Sequence, residues 1–112
     1  MDTRFFEMRI YHAAPGKMKA LHERFRKHTC ALFAKHGMTI IGFWEPADAA
    51  DAEKKFVYIL AYPSREARDR AWEAFRTDPA WIAAKSESEK DGSLVEKVEE
   101  IFLQPLDYSP IQ

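Results

Sequence analysis

The 112-residue chain has one cysteine, no asparagine, only four glycines and almost no net charge, with 17 Lys and Arg against 18 Asp and Glu. Each scarcity excludes something. A lone Cys30 rules out an intrachain disulfide framework and fits a reducing, cytoplasmic setting. A formal charge of −1 leaves no global field to recruit nucleic acid or an anionic membrane. No apolar run approaches the roughly 20 residues of a spanning helix, and the charged, aromatic start does not read as a signal peptide. Neither HExxH nor any Cys/His metal spacing occurs, so no metal and no cofactor is expected. No internal repeat is found. The length suits one domain, residues 1 to 112, with a single core and an irregular tail over 103 to 112.

What remains is pattern. "RFFEMRIYH", residues 4 to 12, alternates as a strand, with Phe6, Met8 and Ile10 on one face and Phe5, Glu7, Arg9 and Tyr11 on the other. From about residue 16 to 36 the apolar positions Met18, Leu21, Phe25 and Leu32 form a helical stripe, closed by Gly37 behind His36. "MTIIGFWE", residues 38 to 45, is a β-branched and aromatic strand ended by Pro46. A loop of Ala, Asp, Glu and Lys follows. Residues 56 to 62, "FVYILAY", are apolar on both faces and require cover on both. Ser64 caps a second helix to about Arg76 with Ala67, Ala71, Ala74 and Phe75 inward, and Asp78-Pro79 restarts it after a bend near Thr77. A last strand is expected over 97 to 104, although Leu94, Val98 and Ile101 also fit a helix. Pro105 and Pro110 then exclude a central strand.

The order strand, helix, strand, strand, helix, strand is the split β-α-β pattern, a four-stranded antiparallel sheet with both helices on one face. The third strand's second apolar face then needs another cover. A second copy of the same sheet, related by a two-fold axis, supplies it, so a homodimer is expected.

The stretches "FEMRIYHAAPGKM" (6–18), "GFW" (42–44), "AYPSREAR" (61–68), "DPAW" (78–81) and "FLQPLDYSP" (102–110) together resemble the NIPSNAP family, within the larger group of dimeric α+β-barrel proteins. The resemblance implies a ferredoxin-like monomer pairing through its sheets. It does not deliver a reaction, because the family is itself poorly defined in activity.

Candidate site residues are Arg9, Tyr11, His12, His28, Trp44 and Tyr58. Glu7 and Arg9 share a strand face, where they either join a buried charged network or let Arg9 hold an anionic group with its planar fork. His12 ends the first strand beside the "AAPG" turn. His28 flanks the buried stripe and is expected to point under the helix toward the sheet, while Trp44 and Tyr58 are expected to flank one cavity. Cys30 reads as a surface thiol whose pKa Lys27 lowers slightly. His36 reads as a cation at the helix end. The basic first helix and the acidic segment 87 to 100 form complementary patches able to meet between molecules.

Three functions compete: a module binding a small apolar or aromatic molecule, a cofactor-free monooxygenase-like or isomerase-like enzyme, and a structural assembly unit. The haem-degrading relatives use an Asn, a Trp and a helix His, a set left incomplete by the absence of asparagine.

Overall fold

The computed structural model describes residues 3–112. Strands β1 (Phe5–Ala13), β2 (Thr39–Trp44), β3 (Lys55–Tyr62) and β4 (Val95–Leu103) form one sheet in the order β2-β3-β1-β4. Every neighbouring pair is antiparallel. The ambiguous last segment is therefore a strand, and Leu94 just before it is buried.

The register sorts the side chains. Glu7 opposes Leu60 and Phe102, Arg9 opposes Tyr58 and Glu100, and Tyr11 opposes Phe56 and Val98. These residues share the helix-covered face. Phe6, Met8 and Ile10 face the other way with Ala61, Ile59, Val57, Leu103 and Ile101. That second face is only partly covered: Val57 and Ile59 stay half-buried, and Ile101 is 44% exposed. Residues 104–112 form neither helix nor strand. They fold back on themselves, Gln112 Nε2 donating to the carbonyls of Leu106 and Ser109, and reach β1 where Arg4 Nε donates to the Gln112 carbonyl at 2.9 Å.

The first helical region departs from the expected single α-helix. It comprises α1 (Met18–Arg24), a π-helical turn (Phe25–Thr29) and α2 (Cys30–Lys35), with the Cys30 amide donating to the Phe25 carbonyl five residues back. The inserted residue changes the phase of the stripe. Adjacent Arg24 and Phe25 both turn inward, Thr29 follows, and Arg26, Lys27 and His28 are left in solvent. His28 therefore does not point under the helix. Gly37 ends the region at φ +78°, a left-handed conformation that costs an L side chain energy.

Asp48, in the segment read as a loop, caps a short helix, α3 (Ala49–Ala52), by accepting from the Ala50 amide. α4 (Arg65–Thr77) starts at Ser64, whose hydroxyl accepts from the Ala67 amide, and α5 (Pro79–Ser88) starts at Asp78, which accepts from the Ala80 amide. Asp78 also takes Lys35 Nζ at 2.7 Å and His36 Nε2 at 2.8 Å. One carboxylate thus joins the end of α2 to the start of α5, and His36 at the helix end is one of the two side chains that make this tie. On α4 the inward residues are Ala71, Trp72 and Phe75, whereas Ala74 is exposed.

The complementary charged patches meet within the chain. Arg24, 5% exposed, donates to Glu89 at 2.9 Å and to the Ser88 hydroxyl, while Lys17 Nζ donates to the Asp91 carbonyl.

Candidate functional site

Glu7 is completely buried, so burial alone would raise its pKa. The hydrogen bonds from Arg68 and Tyr62 and the charge of Arg9 outweigh that cost and hold it at about 2. Arg68 donates from Nε (3.0 Å) and Nη2 (2.8 Å), Tyr62 from its hydroxyl (2.7 Å), Arg9 from Nη1 (2.9 Å) and Trp72 from Nε1 (3.2 Å). Arg9 lies over the Trp72 ring at 4.3 Å and donates to the Tyr58 hydroxyl, which donates onward to Tyr11. Burial pushes the Tyr58 and Tyr62 phenols well above their ordinary range, so both remain protonated donors. Glu100 accepts from Arg68 at 2.9 Å and balances the second guanidinium. Arg68 Nη1 also donates to the exposed Asp69 at 3.2 Å, so the buried Glu7 sits between two guanidiniums, with Glu100 and Asp69 at the rim of a cluster that joins β1, β3, β4 and α4. Among the described residues the one buried side-chain polar atom without a partner, Arg24 Nε, lies elsewhere.

A cavity of about 380 Å³ opens beside this cluster, between the π-helical turn and the end of β2. Its walls are His22, Phe25, Arg26 and Cys30 from the first helical region, Phe43, Trp44 and Glu45 from β2 and its exit, and Phe56 from β3. The volume lies within the usual range for small-molecule sites. Phe25 meets Phe43 at 5.5 Å and Phe56 at 5.3 Å, both edge to face, and His22 packs on Phe56 at 5.1 Å. π-Helical turns recur at functional sites because the extra residue re-aims side chains on both sides of it. Here the turn lies between His22 and Cys30 and itself supplies Phe25 and Arg26 to the cavity wall.

Of the six candidates, Trp44 alone lines this cavity. Tyr58 is fully buried in the cluster with Arg9 and Tyr11, so it and Trp44 do not flank one space. His12 belongs to the open sheet face, bonds Glu99 at 2.8 Å and, with Pro15, Met18 and Lys54, lines a separate cleft at the rim of β1. His28 is exposed. Cys30 is half-buried at the cavity rather than on the surface, and burial raises its thiol pKa, against the lowering expected from Lys27. His22 and Phe43 were not among the expected residues. The period-3.6 reading counted residues across an unbroken helix, and nothing in "HERFRKHTC" marks an added residue.

Gly42 fixes the tryptophan wall. A Cβ there would stand 2.7 Å from the Trp44 ring, so the indole lies directly over the glycine backbone. Trp44 is half-exposed and free to yield, so Gly42→Ala should displace the ring at little cost in stability. In a ¹H–¹⁵N spectrum the Trp44 indole resonance should move while those of Trp72 and Trp81 stay. An unmoved Trp44 signal is the opposing result.

A four-stranded antiparallel sheet in this order, with helices on one face, is a ferredoxin-like α+β domain. The chain belongs to the NIPSNAP family, whose model matches residues 6–110. A NIPSNAP family protein of unknown function from Agrobacterium tumefaciens is similar at TM-score 0.82 and 21% identity, over 99% of this chain and 96% of that one. An uncharacterized NIPSNAP-like domain protein from Burkholderia xenovorans gives 0.81 and 19%, over 98% and 91%. SnoaB, a cofactor-independent oxygenase from Streptomyces nogalater, shares the fold at TM-score 0.64 and 15% identity, over 96% and 98%. No curated protein matches the chain. Among the described residues no helix is long and apolar enough to cross a membrane.

Proposed function

We propose that this NIPSNAP domain binds a small apolar or aromatic molecule in the cavity between its first helical region and β2, and that it does so as a homodimer joined through the open sheet faces. The observation that carries the binding reading is the aromatic lining itself: Phe25, Phe43, Trp44 and Phe56 converge with His22 on one space of ligand size. Aromatic rings offer a large apolar area at low conformational cost, and the polar tips at the rim give orientation. The open face supports the dimer reading, since Met8, Ile10, Val57, Ile59 and Ile101 form a continuous and incompletely covered apolar surface. The single half-buried thiol of Cys30 fits a cytoplasmic location.

The binding reading is tested by thermal melting across one-ring and two-ring aromatic compounds. At a hundredfold excess over its Kd a ligand adds about 2.7 kcal/mol, readily seen as a rise in Tm. Phe43→Ala removes one wall from a residue that is 37% exposed, so the fold should survive and the rise should disappear. No rise with any compound, or an equal rise in Phe43→Ala, contradicts binding at this cavity.

A further inference from the structure

The two sides of the cavity differ in charge. On the helical side Arg26 and His22 line the space, with Lys19 one turn before His22 and Lys27 beside Arg26. Glu23 accepts from Arg26 at 2.8 Å and lies 3.6 Å from Lys27, so one carboxylate serves two cations. Both partners of the Arg26–Glu23 pair are largely exposed; a pair of this kind is worth little, and the guanidinium is free to turn into the space. On the strand side stands Glu45, an acceptor when ionised. Between them the walls are aromatic: Phe25 and Phe56 form a buried floor, and the more exposed rings of Phe43 (37%) and Trp44 (52%) offer area for a flat guest to pack against.

We propose, resting on the binding reading above, that the ligand is a planar aromatic acid of one or two fused rings. Its carboxylate lies toward Arg26 and His22 and a hydroxyl donor toward Glu45. An aromatic box alone also attracts cations. Here the permanent charge of Arg26 at the same wall repels a second cation and offers a carboxylate its planar fork. Glu45 opposite selects a group that donates.

The test titrates the full-length chain with 6-hydroxy-2-naphthoate, 2-naphthoate and 2-naphthol, read by calorimetry and by the Trp44 indole resonance. The hydroxy acid should bind most tightly. Arg26→Gln, at a solvent-facing position that the fold does not need, should weaken both acids about tenfold and leave 2-naphthol within about twofold. Glu45→Gln should weaken the two hydroxylated probes and spare 2-naphthoate. If 2-naphthol binds as tightly as the acids, or Arg26→Gln leaves the acids unchanged, the acid assignment is overturned while the cavity remains a binding site. If none of the three binds, the acid assignment is overturned and the melting panel alone decides the binding reading; if all bind without moving Trp44, they bind elsewhere and this inference fails.

Discussion

Glu7→Gln should destabilise the protein by about 3–5 kcal/mol, the usual effect of breaking a buried, hydrogen-bonded ion pair. The carboxylate accepts from Arg9, Arg68, Tyr62 and Trp72. An amide of the same shape turns an N–H₂ toward donors on one side and leaves two guanidiniums without their buried anion, with only the more exposed Glu100 and Asp69 to pair them. The control lies in that same residue. Glu100→Gln removes a partly solvated carboxylate and should cost less, about 1 kcal/mol. Urea unfolding of the two variants separates the cases. Equal costs mean that the cluster is not organised around Glu7.

The same cluster fixes a pH dependence. With the folded pKa of Glu7 near 2 against an ordinary 4.5, the unfolded chain binds the proton first as the solution is acidified. Stability from this group is complete above about pH 4.5 and is lost as pH falls toward 2, by up to about 3 kcal/mol. Asp78, held below its ordinary value by Lys35, the Ala80 amide and His36, acts in the same direction, and acid weakens its tie between α2 and α5. Glu7→Gln should flatten the upper part of this acid limb.

The strands and helix starts were legible in the sequence for local reasons. Alternation in "RFFEMRIYH" assigned Glu7 and Arg9 to one face, and the Ser64 and Asp78 caps follow from side chains a few residues from the amides they serve. Which of the two proposed roles Glu7 and Arg9 take was not legible, because their partners Tyr58, Tyr62, Arg68 and Glu100 lie far along the chain and their convergence depends on register. The cavity was hidden for a different reason. One inserted residue after Arg24 changes which side of the helix Phe25, Cys30 and His28 occupy, and an amino-acid pattern tuned to 3.6 residues per turn carries no sign of a five-residue turn. On α4 the small Ala74 fits an inward stripe by composition, yet the helix exposes it and turns the Trp72 indole inward to bond Glu7 and Tyr62.

If the open sheet faces pair as proposed, Ile59→Asp should convert the dimer to a monomer. Ile59 lies on the open face opposite Met8 and Gly42, away from the helices, and is half-buried within one subunit. A standard interface covers roughly 800 Å² on each partner, about a tenth of the 7121 Å² that the chain presents, and this face offers Met8, Ile10, Val57, Ile59 and Ile101 to such a contact. Aspartate there can remain hydrated in a monomer, whereas in a dimer it is desolvated without a counter-charge; the dissociation constant should rise roughly a thousandfold. Ile101→Lys, on edge strand β4 with Ile101 already 44% exposed, provides a second disruption that the monomer tolerates more easily. Ile82→Asp, on the exposed side of α5, should leave the assembly intact. Sedimentation at micromolar concentration, with circular dichroism to confirm folding, distinguishes them. A folded wild-type monomer, or dimers undisturbed by both open-face charges, would show that two sheets do not meet here and that the apolar surface serves something other than a twin.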